Sequence, residues 1–262
     1  MNNVNRTLFI PLYGKSYVSR KGVILRDPKS EEIWAKGGFP LKGKSKSKWL
    51  AYYMGMRSAV FDRWLKALLQ AEPDAVVLHL GCGLDSRVER VGSNGHRWFD
   101  VDFPDVIEER KHYYRQTEHY QMIGADVKTS DWLEALPAGR AIVVMEGISM
   151  YLRPDELQET LAQIAAHFQQ VHLLMDCYTE LAAKASKVRN PINDVGVTLV
   201  YGVDDPKSVE GKGIAFVCEH EMTPQDLVDE LRGTEKRIFK VLYGGGIAKK
   251  MYRLYEYRGA KI

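Results

Sequence analysis

The sequence predicts an α/β fold. From Asp74 onward, short apolar runs alternate with longer amphipathic stretches. Five of the runs have the length of a buried strand, and the first ends in a glycine turn while the next three end in a carboxylate. Alternation of this kind builds a parallel sheet covered by helices on both faces. A row of turns and acids at one edge of such a sheet marks where ligands bind.

The five runs are 75–80 (AVVLHL), 98–101 (WFDV), 121–125 (QMIGA), 141–145 (AIVVM) and 171–175 (VHLLM), each about five residues long as buried strands are. Helices are expected over 104–116 and 154–168. In the second, Pro154, Asp155 and Glu156 open the first turn, and Leu157, Leu161, Ile164 and Phe168 recur at helical spacing as a core-facing stripe. Residues 223–231 (TPQDLVDEL) read as a capped helix. The runs 237–243 and 251–257, joined through Gly244, Gly245 and Gly246, read as an antiparallel pair at the sheet edge. Ahead of the sheet, 49–70 is rich in aromatics and leucines and reads as a helix of an N-terminal helical cap and lid over 1–70. The stretch 71–262 then forms the sheet-bearing unit, continuous with the cap. The basic stretch 42–48 (KGKSKSK) reads as a solvated or mobile loop.

The 262 residues are 45% hydrophobic and 27% charged, which excludes disordered and collagen-like classes and suffices for one large core. With 37 Lys and Arg against 34 Asp and Glu, nothing in the charge calls for nucleic acid or an anionic membrane as partner; a small molecule or peptide is expected. The cysteines Cys82, Cys177 and Cys218 form no C-x-x-C pair, which argues against a disulfide framework and a zinc site and favours a reducing cytoplasm. Residues 218–221 (CEHE) have no second Cys or His at ligand spacing and read as a loop or edge strand, so no metal is expected. The N-terminal stretch lacks a basic region followed by a long apolar core, and no apolar run approaches about 18 residues, so neither export by that route nor membrane spanning is expected.

The first strand runs into 79–87 (HLGCGLDSR), placing Gly81 and Gly83 at the turn. Glycine permits a sharp turn and leaves no side chain between backbone and ligand, so an adenosine-bearing cofactor can lie across the strand ends. Asp102, 19 residues after Gly83 in WFDVDFP, is placed to accept hydrogen bonds from both hydroxyls of a ribose. It is also suited to capping the helix that begins near Pro104, though the ribose role is favoured, and Asp100, two residues earlier, is the fallback for the ribose. Asp126 and Glu146 end the third and fourth strands. This acidic edge opposes a pyrophosphate, and the third glycine of a dinucleotide motif is replaced by Ser86. S-adenosylmethionine fits better, since it has no phosphate and carries a cationic sulfonium and ammonium. Arg57, in the helix before the first strand, can pair with its carboxylate.

Together GCGLDSR, DVDFPDVIE, GADV and EGISMYL, with Arg57 ahead of them and Asp27-Pro28 near the start, resemble the leucine carboxyl methyltransferase group, which includes tetracenomycin-type polyketide O-methyltransferases. The resemblance runs from about Leu8 to Met175, with Ser86 where the family has Thr. It implies the class I S-adenosylmethionine-dependent methyltransferase fold, a Rossmann-like seven-stranded sheet whose last strand is antiparallel. It further implies that Lys15 and Arg57 hold the cofactor carboxylate, and that Gly81, with its neighbours Cys82 and Gly83, packs on the methionyl part and ribose. Asp102 would take the ribose hydroxyls, Asp126 and the Val127 backbone the adenine, and Glu146 the methionyl ammonium.

Methyl transfer from a sulfonium is an in-line displacement, governed by placing donor carbon and acceptor oxygen in a dry site. A carboxylate acceptor is already ionised and requires no base; for a phenol or alcohol the candidate bases are Tyr151, Tyr178 and His172, with Tyr151 alternatively shaping the pocket wall and His172 sitting in the core. Two other readings stand beside this one: a nicotinamide-dependent oxidoreductase, and a non-catalytic module that keeps the fold as a binding surface.

Overall fold

The computed structural model describes residues 5–186, 199–246 and 250–261, so the first four residues of the N-terminal stretch lie outside the described part. Seven strands form one sheet in the order β3-β2-β1-β4-β5-β7-β6. They are β1 (Val76–Leu80), β2 (Trp98–Asp102), β3 (Tyr120–Gly124), β4 (Arg140–Met145), β5 (Gln170–Tyr178), β6 (Ile214–His220) and β7 (Tyr252–Ala260). The pairs β1–β2, β1–β4, β2–β3 and β4–β5 are parallel, and β7 runs antiparallel to both β5 and β6. The five expected strands lie where the apolar runs place them. The chain winds outward from β1 to β3, then returns to β4 on the other side of β1, so the strand order reverses between β1 and β4, where open α/β sheets bind ligands.

Nine helices are described: α1 (Phe9–Lys21), α2 (Pro28–Gly37), α3 (Lys48–Ala71), α4 (Arg87–Val91), α5 (Pro104–Arg110), α6 (Pro154–His167), α7 (Glu180–Ser186), α8 (Gln225–Asp229) and α9 (Gly233–Tyr243). One sheet face packs on α6 through Leu157, Leu161, Ile164 and Phe168, all buried as their spacing requires. The other face packs on α3, whose Tyr52, Met56, Phe61 and Leu65 are fully enclosed. Helix α1 lies close against α3 at Gly14, where a Cβ would come within 2.8 Å of the Met54 Cβ. That close approach seats Lys15 in the interior.

The C-terminal edge differs from the sequence reading. Residues 237–243 belong to helix α9, not to a strand, and Gly244–Gly246 follows a helix instead of joining a hairpin. Phe239 and Tyr243, one turn apart, pack on Tyr52 and Tyr53 of α3, and this contact overrides the local β preference of the run. The antiparallel partner of β7 is Ile214–His220, which contains the CEH of the segment read as loop or edge strand. The expected helices over 104–116 and 223–231 are shorter, ending at Arg110 and spanning only Gln225–Asp229. The basic stretch forms a 3-10 turn, Gly43–Lys46, with Ser45 buried.

Asp27 fastens the N-terminal helices to the turn after β1. Its carboxylate caps α2 by accepting from the Ser30 N–H at 2.9 Å, and it also accepts from the Ser30 hydroxyl at 2.6 Å, the Ser86 hydroxyl and Arg90 Nη1 at 2.7 Å. Asp27→Ala removes a cap and leaves a buried guanidinium short of a counter-charge. A loss of about 3–5 kcal/mol is expected, read by urea unfolding. Asp27→Asn retains the cap and is expected to lose less.

Candidate active site

The turn after β1 forms the floor of the site. Gly81 and Gly83 have φ of 65° and 51°, in the left-handed region that suits glycine, and a Cβ on Gly81 would lie 1.9 Å from Ile148 Cγ2. The turn is held from both sides: the Gly83 N–H donates to Asp102 Oδ2 at 2.7 Å, and the Gly83 carbonyl accepts from Arg110 Nη1 at 3.0 Å. Asp102 Oδ1 accepts from the Phe103 N–H at 2.8 Å. Helix α5 has no side-chain cap, so Asp102 does not serve the capping role. Asp100 is committed to the interior, where it binds Arg110, Tyr120 at 2.7 Å and Trp98 Nε1 at 2.8 Å.

A cavity of about 480 Å³ opens over this turn, within the size range of small-molecule sites. All the residues singled out from the sequence for cofactor contact, Lys15, Arg57, Gly81, Cys82, Gly83, Asp102, Asp126, Val127 and Glu146, line it, and so does Tyr151. Ten positions spread over 137 residues of sequence are thus brought to one space. Tyr178 lines it too, whereas His172 is buried elsewhere, its Nε2 3.4 Å from Glu72. Asp126 is half-exposed and accepts from the Lys128 N–H at 3.1 Å.

Beneath one wall runs a continuous buried ion network. Glu146 accepts from Arg57 Nε at 3.0 Å, from the Ser58 hydroxyl at 2.8 Å and from Arg87 Nη2. Arg57 Nη1 reaches Asp176 at 2.7 Å and the Tyr252 hydroxyl at 2.7 Å. Its Nη2 makes no hydrogen bond among the described residues. Arg87 continues to Asp62 at 2.9 Å and to His79 Nε2 at 3.0 Å, and Lys15 lies 3.1 Å from Asp85, which also pairs with Arg90 at 3.0 Å. Because a guanidinium only donates, His79 Nε2 accepts and the ring is neutral; burial pushes its pKa down, in agreement.

The network decides the protonation of the site. Burial opposes ionising Glu146, but Arg87 and Arg57 outweigh it and hold the carboxyl down at about 2. Asp100 is likewise held at about 2, with Arg110 overcoming burial. Asp102 behaves in the opposite way: burial pushes it up to about 6 in spite of the Gly83 and Phe103 N–H groups. Four cations, Lys15, Arg57, Arg87 and Arg90, face five carboxylates, Asp27, Asp62, Asp85, Glu146 and Asp176, and ionised Asp102 adds a sixth. An acidic excess under a glycine turn, with one guanidinium nitrogen unpaired among the described residues, suits a ligand that carries positive charge and a single carboxylate. It opposes a pyrophosphate.

The sequence reading missed Asp176, Tyr252, Tyr53 and Tyr243. Asp176 closes the apolar run of β5 just as Asp102 and Glu146 close theirs, so the same regularity marks it. The three tyrosines come from α3, α9 and β7 and meet only in the folded chain.

The sheet order, the antiparallel β7 and the glycine turn at the switch point define a class I methyltransferase fold. Magnesium protoporphyrin IX methyltransferase of Synechocystis PCC 6803, solved with bound SAM, shares it with a TM-score of 0.51 at 11% identity, over 89% of this chain and 98% of that one. The family model for leucine carboxyl methyltransferase matches residues 5–165. A tetracenomycin polyketide synthesis O-methyltransferase of Streptomyces glaucescens is 32% identical over 90% of this chain and 89% of that protein. An S-adenosyl-L-methionine-dependent methyltransferase of Gibberella zeae is 26% identical over 64% of this chain and 61% of that protein. The chain belongs to the leucine carboxyl methyltransferase family and is an S-adenosylmethionine-dependent methyltransferase, which sets aside the oxidoreductase reading. Among the described residues no helix is long and apolar enough to cross a membrane.

A depressed carboxyl pKa contributes stability that is present above its unfolded value and lost as pH falls toward its folded one. For Glu146 that window runs from 4.5 down to about 2, and for Asp100 from 3.8 down to about 2. The Tm is therefore expected to fall progressively as pH drops from about 4.5 toward 2 in a thermal melt series. A Tm flat across that range would mean that the two carboxylates are not held ionised by their arginines.

Proposed function

We propose that the chain methylates an oxygen of a small molecule or peptide, a carboxylate or an acidic hydroxyl, and that the cavity over the β1 turn holds both reactants. The observation that carries this reading is the convergence in one cavity of the glycine turn, the Asp102 carboxylate and the Lys15 and Arg57 cations with a wall of tyrosines. Bound S-adenosylmethionine supplies an electrophilic methyl group on a sulfonium, which leaves its bonding electron pair on sulfur. The roles of the protein side chains follow from what each can donate or accept. Arg57 Nη2 and Lys15 take the methionyl carboxylate, Gly81, Cys82 and Gly83 allow close backbone approach, and Asp102 accepts from the ribose hydroxyls. Asp126 with the Val127 backbone meets the adenine, and Glu146 contributes negative charge toward the ammonium. Of the helical cap and lid over 1–70, the described residues 5–70 cover the sheet-bearing remainder and close the cavity on the side of α1 and α3.

The acceptor side is lined by Leu50, Tyr53, Met54, Tyr178, Tyr243 and Tyr252. This surface suits a flat, largely apolar body and excludes water from the reacting oxygen. Burial pushes the phenols of Tyr53, Tyr151, Tyr243 and Tyr252 above their ordinary value, so none of these four is a base at neutral pH. An acceptor that arrives ionised requires none. Tyr151 is therefore assigned to the wall.

Two measurements test this. Titration calorimetry with S-adenosylhomocysteine, with NADH as control ligand, is expected to give micromolar binding of the first and none of the second; the reverse would end the reading. Ionised Asp102 accepts two hydroxyl hydrogen bonds and its protonated form accepts fewer, so affinity for S-adenosylhomocysteine should fall as pH drops below about 6. Asp102→Ala should weaken binding by roughly 1–3 kcal/mol and abolish that pH dependence. If the dependence survives in the variant, Asp102 is not the ribose acceptor.

A further inference from the structure

Outside the active-site cavity, one cluster of ligating side chains is built by the sheet itself. Edge strand β6 pairs with β7 in a register that shifts between Phe216 and Cys218, so Phe216 lies opposite Tyr257 but Cys218 lies opposite Glu256. In an unbroken register Val217 would face Glu256, and Cys218 and His220 would project from the other side of the sheet. The bulge re-aims both of them onto the face that carries Glu256.

The result is convergence on one point. Cys218 Sγ lies 3.6 Å from His220 Nε2 and 3.6 Å from Glu256 Oε2, and the same His220 Nε2 lies 2.6 Å from the same Glu256 Oε2. A nucleophilic triad would place the thiol on one imidazole nitrogen and the carboxylate on the other. Here both meet Nε2, so the arrangement is not a relay. With zinc bond lengths of about 2.3 Å to sulfur, 2.0–2.1 Å to imidazole and 2.0–2.2 Å to carboxylate, tetrahedral edges run about 3.6 Å from sulfur and about 3.4 Å from nitrogen to oxygen. The two sulfur edges already have that length, and the third opens when a metal replaces the proton held between His220 and Glu256. Glu256 is buried, His220 is half-buried and Cys218 is exposed, which leaves a fourth position for water.

We propose that Cys218, His220 and Glu256 form a three-ligand site for a thiophilic divalent cation of the zinc class. The cation clips edge strand β6 to β7 on the outer side of the aromatic wall, where His220 shares a second cavity of about 420 Å³ with Tyr53, Tyr243 and Tyr252. Binding releases the thiol proton, and His220 offers the Nε2 lone pair with the ring proton on Nδ1. The sequence reading passed over this site because the third ligand stands 36 residues beyond His220 and no ligand spacing connects them.

The test uses the whole chain, stripped with a chelator and titrated with Co²⁺ in a thiol-free reductant. One equivalent should give tetrahedral visible bands and a thiolate-to-cobalt charge-transfer band that Zn²⁺ bleaches. Zn²⁺ should also shield one thiol from a disulfide reagent. Cys218→Ser, His220→Ala and Glu256→Gln should each weaken Co²⁺ binding at least tenfold while far-UV circular dichroism is retained. If Glu256→Gln does not fold, His220→Ala decides alone. The proposal is overturned by an octahedral spectrum without a thiolate band, by a band that survives Cys218→Ser, or by a loss confined to Cys218→Ser.

Discussion

The arrangement of this protein depends on one buried ion pair network, centred on Glu146 between Arg57 and Arg87. Its members come from several elements: α3 supplies Arg57 and Asp62, α4 supplies Arg87 and Arg90, the end of β4 supplies Glu146 and β5 supplies Asp176. The N-terminal helices enter the same network through Lys15 and Asp27. A buried pair adds little net stability over an apolar replacement, but leaving one charge unpaired is expensive. The network therefore acts as a registration device: the helical cap, the β1 turn and two strand ends must be in place together, or a charge is stranded.

That requirement has an electrostatic by-product at the cavity. The carboxylates outnumber the cations that hold them, and most are tied down on both oxygens, so the floor is fixed and negative. Asp102 is set apart, because it lies on the cavity side of the glycine turn with only backbone N–H partners. Asp100, two residues away on the same strand, is absorbed by Arg110, Tyr120 and Trp98. Two aspartates two residues apart thus have opposite fates, decided by whether an arginine pairs with the carboxylate. The same difference separates their pKa values, down to about 2 for Asp100 and up to about 6 for Asp102.

The tyrosine-lined side of the cavity is built on another principle. Tyr53, Tyr243 and Tyr252 form an aromatic group in which Tyr53 stacks on Tyr243 at 4.7 Å and meets Tyr252 edge-on at 6.1 Å. Tyr252 joins this wall to the ion network through its hydroxyl on Asp176 and Arg57. The position of the wall is therefore coupled to that of the charged floor. The two sides of the cavity therefore share one hydrogen-bonded seam.

The parallel half of the sheet was legible in the sequence because its inner strands are buried on both faces and so are written as mainly apolar runs. The glycine turn and the carboxylates at strand ends were legible for a related reason: each sits at a fixed offset from such a run, so local order implies spatial order at the sheet edge. The C-terminal region was not legible. Residues 237–243 carry a strand-like composition, and only the contact of Phe239 and Tyr243 with α3 makes them a helix. The true sixth strand is an edge strand whose period of two is broken by the extra residue of its bulge at Val217. The sequence by itself determined the fold class, the switch point and the glycines and carboxylates at the strand ends, since these follow from local periodicity, while Lys15 was marked by the family resemblance alone. Only the tertiary structure decided which acids are neutralised, which tyrosines form the wall and that Cys218, His220 and Glu256 meet, because each depends on side chains brought together from distant segments.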